Sequence, residues 1–481
     1  MNHRIERDGI GSLTIPGHAY WGIHTGRAKD NFDVSGYRWP GVFITGLAQV
    51  KAACARTNMD LGHLDPVIGD AILRACDDLI QGRFHDQIIV DPFQGGAGTS
   101  TNMNLNEVIA NRAIEVLGGA KGDYDRVHPL HHVNMHQSTN DVFPTGLTVA
   151  VMRLLKGLEN DVARLQESFQ ERETVFRDVV KVGRTQLQDA VPMTLGMEFG
   201  AYAEAIARDR WRIFKCRERI KQINLGGTAI GTGLGAPRDY ILRVADHLRR
   251  MTGLNLSRCE NLVDATQNQD SFVETSGMLK TYASNLLKIS TDLRFLASGP
   301  HAGLAEIRLP IRQTGSTIMP GKINPVIPEM VAQAALQVMA NDYAVTLAAS
   351  LGNLELSQFM PLLAWNILES LQILLRVSRL FRDLCVTGIE ADTDQCYRLL
   401  MTGHSVATAL VPFLGYETVE RAVRYATEKG VPVVDACCDM GLASREAILD
   451  ILSPRRMQKL GFEPSDFDPS LKNDDPPCRY S

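Results

Sequence analysis

The stretch Gly315–Asn324 reads Gly-Ser-Thr-Ile-Met-Pro-Gly-Lys-Ile-Asn and runs into Pro325. It holds two hydroxyls (Ser316, Thr317), one cation (Lys322) and one amide (Asn324). Pro325 suits the first turn of a helix, and Val326, Met330, Val331, Ala334 and Leu336 follow at helical spacing. A helix N-terminus carries unpaired N–H groups and a partial positive charge, so the segment is suited to an anion. It is not a nucleotide P-loop. That motif needs four residues between Gly and Gly-Lys and then Ser or Thr. Here five residues, Ser316 to Pro320, separate the glycines, and Ile323 follows the lysine.

Three other segments share the design. Thr99, Ser100 and Asn102 lie in the glycine-rich run Gln94–Asn104, Ser138-Thr139-Asn140 in Gln137–Asp141, and Thr185-Gln186 in Gly183–Ala190. Each is read as a loop before a helix start. One alone would be an N-cap, since Ser, Thr and Asn are the usual caps. Four together, without carboxylate clusters, suit an anionic, oxygen-rich ligand. Two other patterns carry less. Gly226-Gly227 and Gly231-Thr-Gly-Leu-Gly235 have the wrong spacing for a dinucleotide fingerprint and no strand before them, which favours close packing. His128, His131, His132 and His136 cluster without an HExxH motif or a nearby acidic ligand other than Asp141, which argues against a catalytic metal.

Long helices are the elements available to position these loops. Val151, Leu154, Leu155, Leu158, Val162, Leu165 and Phe169 form one apolar face. Further helical patterns cover 46–82, 197–222, 268–297, 326–350 and 361–386, and few segments are strand-like. The expected fold is all-α. A mostly helical segment 1–141 opens on an irregular arm to about residue 45. A bundle of long helices, 142–395, is followed by a small helical segment, 396–481, with a polar, poorly ordered tail from Pro464. Several helices are apolar around more of their surface than one seam needs, which points to packing against other subunits. Of 481 residues 44% are apolar and the net charge is −5, which gives no reason to expect a nucleic-acid partner. Nine cysteines without a CxxC pair form neither a disulfide nor a zinc pattern. With no apolar signal core and no run of 18 apolar residues, a cytoplasmic protein without a membrane partner is expected.

The four blocks in this order resemble the aspartase/fumarase superfamily: Gly-Ala-Gly-Thr-Ser-Thr-Asn-Met-Asn-Leu-Asn-Glu (96–107), Gln-Ser-Thr-Asn-Asp (137–141), Gly-Arg-Thr-Gln-Leu-Gln-Asp-Ala-Val-Pro-Met-Thr-Leu-Gly (183–196) and the 315–324 loop. The likeness runs from about residue 5 to 460. It implies a central bundle of long helices with smaller helical N- and C-terminal domains, assembled as a homotetramer whose active sites draw on three subunits. It also implies abstraction of a β-proton from a small amino-acid or dicarboxylate substrate, through an enediolate-like dianion, to give fumarate. No cofactor is required, and activation by a divalent cation is left open.

By this resemblance Ser316 is the general base. Lys322, Asn324 and Thr185 hold the α-carboxylate, and Thr99, Ser138, Thr139 and Thr317 take the β-carboxylate. Asn140, Gln186 and Thr99 face the leaving group, with Glu329 behind Gln186. Gln186-Leu187 stands where fumarases carry His-Thr. Hydroxide needs a proton donor to leave, whereas an ammonium group carries its own proton, so the expected reaction is loss of ammonia from L-aspartate. The alternatives are a fumarate hydratase and an ammonia-lyase for a substituted aspartate or a related amino acid. Lyases for argininosuccinate or adenylosuccinate share the 315–324 loop but not the 183–189 block. A catalytically dead relative would have lost Ser316 or Lys322, and both are present. Departures from the family pattern are Thr317, Pro129-Leu-His-His132, Ala305 and Arg308. The last two stand where Asn is usual and bear on substrate choice.

Overall fold

The structure, a computed structural model, describes residues 3–463 and Asp466. A hairpin of β1 (His3–Asp8) and β2 (Gly11–Pro16) leads to α1 (Ile23–Asn31), α2 (Gly41–Asp60), α3 (Pro66–Ile80) and α4 (Thr99–Val116). The long α5 (Thr139–Val175) precedes a second hairpin, β3 (Val180–Thr185) and β4 (Gln188–Thr194), and then α6 (Leu195–Arg219). Next come β5 (Gln222–Ile223), α7 (Arg238–Thr252), β6 (Ser257–Arg258), α8 (Leu262–Gln267) and α9 (Asp270–Leu296). After β7 (Ile307–Arg308) follow α10 (Val326–Ser350), α11 (Met360–Leu384) and β8 (Glu390–Ala391). The described chain ends in short helices: α12 (Thr393–Thr402), α13 (Val406–Leu414), α14 (Tyr416–Lys429), α15 (Val433–Asp439), α16 (Arg445–Ile451) and α17 (Pro454–Met457). The class is all-α, built on long helices with four two-stranded ribbons. The expected tail from Pro464 lies outside the described residues apart from Asp466. Among the described residues no helix is long and apolar enough to cross a membrane.

The chain divides into two compact units. The first comprises 1–160, 209–284 and 334–376, the second 161–208, 285–333 and 377–481. Both are discontinuous in sequence. They do not coincide with boundaries at 141 and 395, which mark changes in helix length along the chain.

In the first unit, the segment expected to be an irregular arm is ordered. It forms β1, β2 and α1, and Glu107 of α4 holds it. This carboxylate is 1% exposed and accepts from Gly22 N (2.7 Å), His24 N (2.8 Å), Thr25 N (3.2 Å) and Thr25 Oγ1 (2.6 Å). Asp91 does the same further on, accepting from Ser35 N, Ser35 Oγ and Gly36 N. The helical pattern over 46–82 is two helices, α2 and α3. The second starts where Asp65 caps α3, accepting from Val67 N and Ile68 N, with Pro66 at the first helical position. Trp39, Phe43 and Phe143 then join arm, α2 and α5 through tilted and edge-on ring contacts.

In the second unit, Phe169 of α5 is fully buried against Phe199 and Tyr202 of α6 and Phe381 of α11, with centroids 6.0–6.2 Å apart. The short C-terminal helices enclose a separate core that includes Leu400, Val406, Leu410, Val419 and Val434. Val182 of β3 packs into that core, so the second hairpin is carried on the C-terminal helices.

Replacing Glu107 by alanine would leave four inward-facing donors of residues 22–25 unpaired. The expected loss is about 3 kcal/mol or more in urea unfolding, with earlier protease cleavage within residues 3–31. A loss below about 1 kcal/mol would show that the arm is held by its apolar contacts instead.

Candidate active site

The first unit carries Thr99 and the 138–140 block. Gly96, Ala97 and Gly98 all have positive φ (79°, 55° and 96°), turning the chain sharply into α4. A Cβ on Gly98 would lie 2.4 Å from the Phe143 ring, so only glycine fits there. No side chain caps α4, and Thr99 Oγ1 lies exposed at its first turn, 2.7 Å from Gly96 O. Next to it Thr101 is buried, accepting from Trp39 Nε1 and Gln94 Nε2. One turn on, Asn102 Nδ2 donates to Thr139 Oγ1 at 3.0 Å, which ties the two blocks together.

Asp141 fixes the second block. Its carboxylate is fully buried and accepts from Ser138 N (3.0 Å), Gly226 N (3.1 Å) and Thr228 N (3.0 Å). Burial pushes its pKa up to about 7. Gly226-Gly227 therefore lies in a packing loop in which Gly226 N and Thr228 N serve the carboxylate and Gly227 N donates to Asn224 O. Pro144 sits inside α5 and cannot donate to Asn140 O. Asn224 Nδ2 supplies that bond at 3.0 Å, while Asn140 Nδ2 donates to Ala229 O at 2.7 Å. Lys51, buried and lowered to about 8 by burial, donates to Asn134 Oδ1 and Gln137 Oε1 beneath the same turn. Asn102 was read from sequence as a donor of the first loop, whereas Asn224 and Lys51 were not singled out. These last two sit in a loop and a helix at no telling spacing.

The second unit carries the remaining candidates. Thr185 and Gln186 do not precede a helix, as expected from sequence. They form the tip of the β3–β4 hairpin, with Thr185 paired to Gln188. Gln186 and Leu187 are the two turn residues, both at positive φ (52° and 62°), as a type I′ turn requires. Neither is glycine, so the tip stores strain. Behind it, Arg184 Nη1 lies 2.9 Å from Glu306, which is fully buried. The two departures near the loop have structural partners: Ala305 has φ 51° and donates its N–H to Ser298 O, and Arg308 pairs with Asp392 at 3.0 Å across from β8.

The 315–324 segment is irregular and largely exposed. Asn324 Nδ2 donates to Gly315 O at 2.5 Å, closing the base of the loop, and a Cβ on Gly315 would collide with Lys322 O. Ser316 Oγ accepts from Met319 N (2.9 Å) and Ile318 N (3.3 Å). Thr317 and Lys322 are exposed, and Lys322 has no ion-pair partner among the described residues. Glu329, at the start of α10, lies 3.9 Å from Arg294, and no bond to Gln186 is present among the described residues. The histidines serve the backbone: His128 Nδ1 accepts from Leu130 N and His131 N, and His132 Nδ1 from His128 N. Among the described residues no group of three His, Cys, Asp or Glu side chains could hold a metal.

The family described as Lyase matches residues 11–340, and the family described as Fumarase C C-terminus matches 406–459. The chain belongs to the aspartase/fumarase superfamily. Aspartate ammonia-lyase of Bacillus subtilis (strain 168) is 46% identical over 460 residues, 96% of this chain and 97% of that protein. A fumarate lyase:delta crystallin from Brucella melitensis, crystallised with cobalt, superposes with a TM-score of 0.92 at 44% identity, covering 95% of this chain and 100% of that one. A class II fumarase from Schistosoma mansoni gives 0.88 at 31% identity, covering 95% and 99%. This member of the aspartase/fumarase superfamily is thus a lyase whose motif residues sit at helix starts, on a strained hairpin tip and on an exposed loop.

Asp141 gives that arrangement a pH dependence. Its folded pKa lies above the unfolded value of about 3.9, so the stability it contributes is full below about pH 4 and is lost as pH rises to about 7. In Asp141→Asn this slope, about 1.4 kcal/mol per pH unit for one proton, should disappear from urea midpoints measured between those limits. An unchanged slope would assign the titration to another group.

Proposed function

We propose that the chain is an L-aspartate ammonia-lyase, releasing ammonia and forming fumarate by abstraction of a β-proton. The observation that carries this reading is the turn at Ser316, where two backbone N–H groups point at Oγ. A serine hydroxyl is a poor base unless its alkoxide is stabilised, and donors aimed at the oxygen favour the deprotonated form. Lys322, on the same loop and free of an intramolecular ion pair among the described residues, adds positive charge. Lys322, Asn324 and Thr185 would bind the α-carboxylate. Thr99, Ser138, Thr139 and Thr317 would bind the β-carboxylate, where negative charge grows as the proton leaves. Asn140, Gln186 and Thr99 would face the ammonium group, and Glu329 would act behind Gln186. A neutral amide at Gln186 is enough because ammonia leaves without an external proton donor. The scheme needs no cofactor. Any effect of a divalent cation would then be activation rather than chemistry.

We further infer a cytoplasmic homotetramer in which the first-unit residues of one subunit meet the Ser316 loop and the Gln186 hairpin of others. Large apolar side chains left exposed on long helices support this, among them Trp211 (62%) on α6 and Leu336 (54%) and Tyr343 (68%) on α10. Light scattering at micromolar concentration should give four times the chain mass. A monomer there would remove the shared-site reading.

The deciding assay is the ultraviolet absorbance of the conjugated alkene with L-aspartate and, in parallel, L-malate. A rise with aspartate alone is expected, and a rise with malate alone would make the protein a hydratase. Ser316→Ala should lower kcat about 100-fold or more while the protein stays folded and assembled. Wild-type turnover in that variant would remove Ser316 as the base.

A further inference from the structure

We propose that Glu306 is a positioning residue for the Gln186 turn, acting through Arg184 and Lys181. Its reading as part of catalysis rests on the function proposed above.

Glu306 has no solvent exposure, and its oxygens lie 2.9 Å from Arg184 Nη1 and 2.9 Å from Lys181 Nζ. Lys181 is itself buried and has a second carboxylate, Glu198, at 2.6 Å. Positions 181 and 184 would point to opposite faces of a regular strand. Here the β3–β4 pairing shifts by one residue between Val182 and Arg184. Such a bulge raises local twist, which lets both cations reach one carboxylate. Gly183 lies at the shift, where a Cβ would approach Val191 O to 2.9 Å.

The backbone of Glu306 is fixed from three directions. Its N–H donates to Leu296 O at 2.9 Å, and its carbonyl accepts from Asp392 N (2.9 Å) and Cys396 Sγ (3.4 Å). The carboxylate is therefore a rigid anchor, and Arg184, with its side chain 13% exposed, is the last largely enclosed group before the exposed Thr185 and Gln186. Beyond it the tip has no apolar hold: Leu187 is 69% exposed. Two turn residues in left-handed conformations keep that geometry only if the strand ends are fixed, and the guanidinium–carboxylate pair fixes one of them. Removing the carboxylate would leave two cations in a buried site sharing Glu198 and the more distant Asp189, 3.7 Å from Arg184.

The test uses the full chain with Glu306→Gln, Glu306→Asp and Arg184→Lys. Steady-state kinetics with L-aspartate are combined with amide hydrogen exchange. For Glu306→Gln the expected result is a fall in kcat of about tenfold or more, with a smaller change in KM. Exchange should quicken in 183–190 but not in α5, and Glu306→Asp should recover part of kcat. Wild-type kcat with wild-type exchange at 183–190 overturns the proposal, as does exchange raised equally across α5 and α9, which marks general destabilisation. If Glu306→Gln does not fold, Arg184→Lys decides. A fall of about fivefold in kcat with faster exchange at 183–190 supports the proposal, and wild-type values of both defeat it. Absence of wild-type turnover with L-aspartate sinks the proposed function alone, because the exchange measurement still reports whether Glu306 holds the turn.

Discussion

A carboxylate taken out of water survives as an anion only where donors replace its hydration, and where it does, those donors are held firmly. Glu107, Asp141 and Glu306 are buried carboxylates that gather such donors where a motif segment joins the scaffold, although burial still pushes the Asp141 carboxyl up to about 7. Glu107 gathers N–H groups from residues 22–25 onto α4, behind Thr99. Asp141 gathers those of Ser138, Gly226 and Thr228 beneath the 138–140 turn. Glu306 takes cationic side chains instead, below the Gln186 hairpin. Each joins segments distant in sequence, and each is stabilising only while all its donors are present. The three blocks are therefore locked with an all-or-none character that scattered surface ion pairs would not give.

The 315–324 loop is built differently. Its bonds are local: Asn324 to Gly315, and the amides of Ile318 and Met319 to Ser316. Among the described residues no buried carboxylate reaches into it, and Ile318, Met319 and Ile323 are exposed. Few buried contacts and short-range bonds mean a small free-energy gap between conformations. On the function proposed above, the loop would supply the base and would have to open and close, whereas groups gripping carboxylates would gain from staying still. The contrast between three pinned blocks and one locally bonded loop follows from where buried charge is placed.

Much of this was legible along the chain. The helical pattern of Val151 to Phe169 became α5, and the patterns at 268–297, 326–350 and 361–386 became α9, α10 and α11, because each buries one repeating face. The β3–β4 hairpin was read as a loop. Its strands are six and seven residues long and carry Lys181 and Arg184 at inward positions, so the alternation of apolar residues that marks a strand is absent. Ion pairs explain this. Lys181 and Arg184 look like solvated charges until Glu306, more than 120 positions away, is folded against them, and no local pattern encodes a partner at that distance. The ordered arm was missed for the same reason, since its organiser is Glu107, inside a motif read for its hydroxyls. Arg308 shows another long-range pairing that its sequence position does not reveal. It was noted for its nearness to the 315–324 loop, and in the structure its charge pairs with Asp392 and Glu390.

The tip of the hairpin brings these threads together. Type I′ turns favour Asn-Gly because both central residues need positive φ, and a side chain there costs on the order of 1 kcal/mol. Gln186-Leu187 is a poor choice for the turn itself, with a bulky residue at each position and Leu187 turned to solvent. Local stability therefore does not account for the residue at 186. What the position provides is an amide held outward from a rigid ribbon, and strain in the turn limits how far that amide can wander. The strain is tolerable because it is small beside the cost of separating Arg184 from Glu306 in a buried site. A flexible glycine turn would be more comfortable and would leave the amide with no fixed direction. The chain accepts a strained turn because the ion pair beneath it is the stronger interaction.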